Sequence, residues 1–291
     1  MKAFRFAFSA MAAENEIQLY AASEQDASRI ANAAIAEVKR IEAKYSRYRE
    51  ESLLSRINAA AGREAVEVDE ETLGLLAFAD AAYRQSGGLF DATSGVLRRA
   101  WNFREARVPS QAELDVLLPL VGWEKVEIAG NRVRLPQTGM QLDFGGFGKE
   151  YAVDRAARVM AGQGATSAMA SLAGDLAILG PQPGGAPWRM GIQHPRRKDK
   201  VLATIPIMSG AIATSGDYER FIEVDGVRHC HILDPRTGLS ARGLQSVTVQ
   251  AQSCLIAGSA TTIAMLKGRE EGLAWLDELG LAHIEIGRAH V

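Results

Sequence analysis

The sequence predicts an α+β fold, built from helices and antiparallel sheets, in one domain that spans residues 1–291. Periodic helical segments mix with short hairpin patterns, and there is no regular strand–helix–strand repeat of the kind that builds a parallel sheet. Hydrophobic residues make up 47% and charged residues 23% of the chain, which is ordinary for a globular protein with a large core. No linker, internal repeat or low-complexity segment divides the chain.

Helices are predicted where apolar residues recur three or four apart and where a side-chain acceptor can cap the first turn. By these criteria the helices are Glu24–Tyr48, a segment from Asp69 to Gly87, a short helix behind the capping-box pair Ser110 and Glu113, a helix from Lys149 to about Met160, and a last apolar helix from Ser253 through Leu266.

Strands are predicted where short apolar or alternating runs are bounded by turn residues. They are the first eight residues, a hairpin over Lys125–Leu135, and strands near Gln141–Phe144, Ala168–Leu172, Leu176–Leu179, Arg189–Gln193, Ala203–Ile207, Phe221–Val224, Arg228–Leu233 and Gln245–Gln250.

Charge and composition argue against several classes of partner. The formal net charge is −2, and Lys and Arg are scattered, so neither a nucleic-acid surface nor an anionic membrane is indicated. No stretch reaches the ~20 apolar residues that span a bilayer, and the first residues lack the apolar core of a signal peptide. With two cysteines, Cys230 and Cys254, in apolar surroundings, we expect a cytoplasmic protein without a disulfide framework.

A glycine-rich segment, residues 143–149, joins a predicted strand to a predicted helix. Such a turn can present free backbone N–H groups at a helix N-terminus, where phosphate oxygens bind well. Lys149 adds a positive charge in the first helical turn. The pattern is neither a Walker loop nor a dinucleotide fingerprint, so a plain tight turn stays an equal alternative at this point.

Residues 210–238 hold the densest cluster of reactive side chains. Here a small-residue turn at Thr214, Ser215 and Gly216 lets the backbone approach a ligand, because Gly216 has no Cβ. An Asp-Gly hairpin turn follows at 225–226, flanked by apolar residues.

The returning strand carries His231, directly ahead of the turn Asp234-Pro235-Arg236-Thr237-Gly238. A lone histidine on a strand is more often structural than catalytic. A strand that ends in a turn is nevertheless a rigid platform for an exposed imidazole. His229, two residues earlier, is a competing candidate.

Taken in order along nearly the whole chain, these segments resemble the ApbE family of FAD:protein FMN transferases. The resemblance rests on the following segments: Tyr45-Ser46-Arg47-Tyr48 with Ser52, Ser55 and Asn58; Phe90-Asp91-Ala92-Thr93-Ser94-Gly95; Leu142–Gly146 with Lys149; Ala173-Gly174-Asp175; the 210–238 cluster; and Ser253-Cys254-Leu255. It implies two lobes with a T-fold-like topology and a flavin site between them.

The resemblance also implies roles for single residues. The segment of Tyr45 and Tyr48 would lie against the flavin, although ring packing in the core is the alternative. Gly145, Gly146 and Lys149 would bind FAD, as would Thr214, Ser215 and Gly216. Asp91 would contact ligand or cap a short helix, and Asp175 would hold the adenine or ribose or bond a local turn. With the family match, His231 becomes the preferred general base.

One position departs from the family pattern. Relatives supply a Mg²⁺ carboxylate from an Ala-Asp-Ala-x-x-Thr segment, whereas this chain reads Ala257-Gly258-Ser259-Ala260-Thr261-Thr262. The resemblance implies a metal site at the Gly148 carbonyl, Gly258 and Thr262. Relatives also usually carry Ala at position 148 and Gly at position 150. A hard dication prefers carboxylate oxygen, which Gly258 does not offer.

The implied reaction transfers FMN from FAD to a Thr or Ser hydroxyl of an acceptor flavoprotein, with release of AMP. Three explanations of Gly258 stay open: the chain binds FAD without transferring FMN, it recruits another carboxylate, with Asp217 or Asp175 nearest by motif, or Gly258 is an introduced substitution that Gly258→Asp would reverse. An FAD pyrophosphatase, which releases free FMN and AMP, is a further alternative.

Overall fold

The computed structural model describes residues 1–287, so residues 288–291 of the predicted domain lie outside the described part. In chain order the strands are β1 (Lys2–Ala10), β2 (Ala13–Ala21), β3 (Val66–Glu67), β4 (Glu127–Ala129), β5 (Arg132–Arg134), β6 (Ala168–Leu172), β7 (Asp175–Leu179), β8 (Trp188–His194), β9 (Arg197–Ile207), β10 (Gly210–Gly216), β11 (Phe221–Val224), β12 (Val227–Cys230), β13 (Leu244–Ala251) and β14 (Ala282–Gly287). The helices are α1 (Glu24–Tyr45), α2 (Leu53–Ala59), α3 (Glu70–Gln85), α4 (Gln111–Leu117), α5 (Gly148–Gly162), α6 (Cys254–Lys267) and α7 (Arg269–Glu278).

The largest sheet has seven strands in the order β1-β2-β6-β7-β10-β13-β14. Every neighbouring pair in it is antiparallel. In β2, Ile17 and Leu19 are fully buried while their neighbours in the strand are more exposed, because alternate side chains face opposite sides of a sheet. The predicted mixture of helices and antiparallel sheets is confirmed.

Helices α1, α5 and α6 pack against this sheet, and α5 also packs against both α1 and α6. Each contributes small and aliphatic side chains to one continuous core. Among them are Ile30, Ala34, Val38 and Ile41 of α1, Ala152, Val153, Ala156 and Met160 of α5, and Ala257, Ala260, Ile263 and Ala264 of α6. The first turn of α5 meets α6 where the Glu150 side chain lies against Gly258, and both helices line the candidate site there.

Predicted helix starts agree closely with the structure. The Asp69 carboxylate accepts from the Thr72 N–H at 3.0 Å, and Ser110 and Glu113 form the expected capping box. Ser253 caps α6. Helix α1 ends three residues before the predicted Tyr48, since the chain turns extended at Ser46.

Four expectations about the chain are wrong. Residues 141–144 form no ladder; the Leu142 N–H instead donates to the side chain of Asn58 at 2.7 Å. Residues 213–216 are the end of strand β10, not a turn. His231 follows strand β12 and does not lie on it. Helix α6 is not the last, because α7 and β14 come after it.

A second apolar cluster joins the β11–β12 hairpin to the segment that follows Asp91. It contains Val96, Leu97, Trp101, Leu114, Ile222 and Leu233. The Trp101 indole N–H donates to the Gly238 carbonyl at 2.8 Å, which ties the turn after His231 to this cluster. Both cysteines are buried and free. Within residues 1–287, no helix combines the length and apolar character of a bilayer span.

Candidate active site

A cavity of about 840 Å³ opens between the C-terminus of α1, the start of α5, the end of β10 and helix α6. A volume in this range is typical of small-molecule and cofactor sites. All the residues predicted for the site line it: His231; Tyr45, Tyr48, Asp91, Gly145, Gly146, Lys149, Asp175, Thr214, Ser215 and Gly216; and Gly148, Gly258 and Thr262. Segments more than 200 residues apart in sequence therefore meet around one space.

The glycine-rich turn is closed largely on itself. The Gly145 N–H donates to Asp143 Oδ1 at 2.7 Å, and the Phe147 and Gly148 N–H groups donate to the Phe144 carbonyl at 3.0 and 2.5 Å. The sequence-based expectation of free N–H groups is wrong for these three residues. A Cβ added at Gly146 would lie 3.3 Å from the Phe90 ring, so the turn also packs closely against the core.

Two arginines converge on Asp143 at the edge of the cavity. Arg98 lies 2.7 Å from Asp143 Oδ2, and Arg47 hydrogen-bonds the same oxygen. The two guanidinium groups and one carboxylate carry a net charge of +1 beside the glycine-rich turn. The predicted site does not include Arg47 or Arg98, because nothing local in the sequence shows that they meet at one carboxylate.

Lys149 and Asp175 form an ion pair inside the cavity. The Thr214 N–H also donates to Asp175, at 3.2 Å, so the end of β10 is bound to the same carboxylate. Carboxylates nearby hold the pKa of Lys149 above its ordinary value, although burial opposes this. Two residues that the sequence predicts as separate FAD contacts thus pair with each other.

The side chain of Glu150 lies beside this pair. Its Oε1 is 3.9 Å from the Lys149 ammonium, and it is only 7% exposed. Burial raises the pKa of Glu150 to about 8, with the Asp175 charge adding to the effect and Lys149 opposing it. Glu150 is absent from the predicted site, because no motif marks its carboxylate.

Hydroxyl groups from β10 and α6 form a chain at the floor of the cavity. The Ser215 hydroxyl lies 2.8 Å from that of Thr261 and 3.2 Å from that of Thr262. Thr261 donates to the Gly258 carbonyl at 2.8 Å. Thr214 instead pairs with Thr248, at 2.8 Å, across the ladder between β10 and β13. The hydroxyl oxygen of Thr262 therefore lies within a connected polar network.

His231 faces the cavity from the loop after β12. Its Nδ1 lies 3.4 Å from the Arg220 carbonyl, and burial lowers its pKa below the ordinary histidine value. Its competitor His229 is buried, with its ring 5.8 Å from that of Trp101, and is not among the residues that line the cavity. Of the two histidines, His231 alone lies where a ligand would reach it.

Tyr218 is a cavity residue that the sequence-based prediction missed. Its ring occupies the space next to Gly216, where a Cβ would lie 2.8 Å from Cδ1 of the ring. Burial raises the pKa of Tyr218 to about 12, so its hydroxyl stays protonated near neutral pH. The missing Cβ of Gly216 thus admits the Tyr218 ring.

Three further predicted residues carry structural bonds. Tyr45 is 7% exposed, its hydroxyl lies 3.0 Å from that of Thr72, and its ring packs against Phe144. Asp91 is also buried; it accepts from the N–H groups of Thr93 at 2.7 Å and Trp123 at 3.0 Å. Tyr48 is 75% exposed, and its ring lies beside Arg47. Of these residues, Tyr48 has the ring most accessible to a ligand.

Asp217 and Asp175 are the two carboxylates expected as replacements for the aspartate that position 258 lacks. Asp217 already forms an ion pair. Arg196 binds it through both guanidinium nitrogens, at 2.7 and 2.8 Å, and it is not among the cavity residues. Asp175 lines the cavity but pairs with Lys149. Within residues 1–287, no group of three or more His, Cys, Asp or Glu side chains is arranged to hold a metal ion by itself.

Comparison with known proteins assigns this fold and cavity to the class of flavin transferases. The chain belongs to the ApbE family, whose family model matches residues 11–284.

Relatives and solved structures agree with this assignment. The chain is 35% identical over 236 residues to the FAD:protein FMN transferase of Vibrio cholerae serotype O1, covering 79% of this chain and 70% of the relative. It is 32% identical over 249 residues to that of Treponema pallidum, covering 79% and 69%. The ApbE protein of Thermotoga maritima superposes with a TM-score of 0.90 at 34% identity, over 98% of this chain and 94% of that one. The apo flavinyl transferase ApbE of Pseudomonas stutzeri gives 0.89 at 28%, over 99% and 92%.

Proposed function

We propose that this protein is an FAD:protein FMN transferase that acts on a Thr or Ser hydroxyl of an acceptor flavoprotein. The observation that carries the proposal is that all the predicted site residues line one cavity. The curated relatives that bear this name support it. The acceptor and the metal requirement are part of the proposal.

The cavity has the chemistry that FAD requires. An accessible ring, Tyr48, is available for stacking at one side, and the cationic groups of Arg47, Arg98, Lys149 and Arg220 line the same space. Cations of this kind neutralise the two negative charges of a pyrophosphate. We place the isoalloxazine ring toward Tyr48 and the pyrophosphate toward Lys149.

In the transfer step, the acceptor hydroxyl oxygen attacks the phosphorus of the FMN half of FAD. A new P–O bond forms to the acceptor, the bond from that phosphorus to the bridging oxygen breaks, and AMP leaves with the bridging oxygen. The hydroxyl proton passes to His231. Because burial lowers its pKa, the imidazole is neutral near pH 7 and free to accept this proton.

The residues present fit a divalent cation of the magnesium type. The Gly148 carbonyl and the Thr262 hydroxyl offer neutral oxygens, and the carboxylates of Asp175 and Glu150 line the same cavity. Hard oxygen donors of this kind suit Mg²⁺. When bound, Mg²⁺ would neutralise charge on the pyrophosphate oxygens. Gly258 itself could contribute only backbone.

Mass spectrometry of an acceptor domain tests the proposed function. The protein, FAD and Mg²⁺ are incubated with a domain that bears the target threonine, and we expect the acceptor to gain the mass of FMN while AMP accumulates. His231→Ala should keep FAD binding, measured by flavin fluorescence, and lose transfer. Equal loss of both would remove His231 from the role of base.

The same assay separates the alternatives. Release of FMN and AMP without an acceptor would identify a pyrophosphatase, and bound FAD that is never consumed would identify a flavin-binding homologue. The cytoplasmic location stays a prediction, which cell fractionation tests.

A further inference from the structure

Gly258 faces the side chain of Glu150. A Cβ built on Gly258 would overlap Cγ of Glu150 and lie 3.0 Å from its Oε1 and 3.1 Å from its Cδ. Cγ lies near the start of the side chain, so a rotation of the carboxylate end alone does not relieve the overlap. Position 258 therefore admits no side chain while Glu150 keeps its place.

The Glu150 carboxylate has an unsatisfied oxygen. Its Oε2 is buried and has no hydrogen-bond partner among residues 1–287. Burying a carboxyl oxygen without a hydrogen-bond partner costs folding free energy, and it costs more when the group is ionised. The side chain is more than nine-tenths buried and lines the cavity, so this oxygen marks the place of a missing partner.

Charges around Glu150 indicate that the partner is a cation. Asp175 and Glu150 share one ammonium group, Lys149, which bonds Asp175 and lies 3.9 Å from Glu150 Oε1. When both carboxylates are ionised, the single ammonium leaves a formal charge of −1 on these three groups, which a bound cation would offset. The Thr262 hydroxyl and the Gly148 carbonyl supply neutral oxygens around the same cavity. This donor set is one of hard oxygens, which suits a divalent cation.

We propose that Glu150 supplies the carboxylate ligand of a divalent-cation site, and that Gly258 is glycine because Glu150 occupies the space over it. The carboxylate reaches the site from helix α5 and not from α6. The role of the metal in FMN transfer rests on the proposed function. Binding of the ion is a separate property, which is measured without any transfer of FMN.

Binding of Mn²⁺ alone, followed by the loss of its free-ion EPR signal, tests the inference, and Mg²⁺ competition gives the affinity for Mg²⁺. Each titration is run with and without FAD. We expect Glu150→Gln, which keeps the shape and removes the charge, to weaken Mn²⁺ binding at least tenfold. Glu219→Gln, at an exposed carboxylate beside the same cavity, should leave binding unchanged.

A reciprocal pair of substitutions separates loss of a ligand from loss of fold. Gly258→Asp alone places a side chain where Glu150 lies, so it should not improve Mn²⁺ binding. The double variant Glu150→Gly, Gly258→Asp returns one carboxylate from the opposite helix, and its affinity should recover to within a few-fold of the unmodified protein. Thermal melts of each variant show whether the fold is kept.

Three results would overturn the inference: no Mn²⁺ binding by the unmodified protein with or without FAD, unchanged binding in Glu150→Gln, or tighter binding in Gly258→Asp alone. If Mn²⁺ binding follows Glu150 but no acceptor gains FMN, the proposed function fails and this inference stands.

Discussion

Replacing Gly258 with alanine measures how tightly Glu150 fills the space above helix α6. Alanine in place of glycine inside a helix stabilises by about 1 kcal/mol through propensity alone. At Gly258, however, the added Cβ overlaps Glu150 Cγ, and overpacking of this kind costs about 1–3 kcal/mol. We therefore expect Gly258→Ala to lower the free energy of unfolding by about 1 kcal/mol net.

Helix α3 provides a matched control. Gly74 is exposed within that helix, and an added Cβ would meet nothing within 4 Å. Gly74→Ala should therefore raise the free energy of unfolding by about 1 kcal/mol, so that the two substitutions differ by about 2 kcal/mol.

Urea denaturation of both variants in metal-free buffer measures these differences. A cycle with Glu150→Ala isolates the contact: without the Glu150 side chain, Gly258→Ala should become stabilising, with a coupling free energy of about 2 kcal/mol. If Gly258→Ala stabilises the unmodified protein as much as Gly74→Ala does, the packing of Glu150 over position 258 is refuted.

Three other predictions concern the proposed base His231, the ion pair of Lys149 with Asp175, and the turn between β1 and β2. Burial lowers the pKa of His231 below the ordinary histidine value of about 6.5. The rate of FMN transfer should therefore fall only as the pH drops below about 6.5, because protonation then removes the base. A rate that already falls at pH 7 would contradict this. Lys149→Met should weaken FAD binding at least tenfold, as measured by flavin fluorescence. It should also lower the melting temperature, because it leaves the buried Asp175 without its cation. Unchanged affinity for FAD would mean that Lys149 serves only the ion pair. Ala12 has φ +59°, in the left-handed region. We expect Ala12→Gly to raise the free energy of unfolding, measured by urea denaturation, by about 0.5 kcal/mol, because the relief of strain exceeds the added entropy of the unfolded chain. A lower free energy of unfolding would show that this strain is negligible.

Local patterns predicted five of the seven α-helices in residues 1–287 and missed α2 and α7. The caps at Asp69, Ser110 and Ser253 act within three residues of the side chain that makes them, so their geometry is written in adjacent positions of the chain. For this reason the sequence placed α1, α3 and α6 to within a few residues. No side chain caps α5, whose start was predicted instead from the glycine-rich turn before it.

Strands were predicted less well where their partners are distant. β10 is rich in Gly, Ala, Ser and Thr and carries little strand signal, but it is a strand because β7 and β13 flank it on both sides. Residues 141–144 are apolar enough for a strand, yet their backbone bonds go to Asn58 and Ala92 instead. In both cases the choice depends on which backbone groups lie nearby in three dimensions.

The sequence alone determined the family, five of the helices with the caps of three of them, and part of the cavity lining, because these depend on residue types that the sequence displays directly. Only the tertiary structure decided how those residues pair. In the folded protein Lys149 forms an ion pair with Asp175, Arg196 binds Asp217, and the Glu150 side chain packs over Gly258. The last contact links positions 108 residues apart on two helices. In the sequence Gly258 looks like the loss of a carboxylate, but in the folded protein the Glu150 side chain fills the space over it.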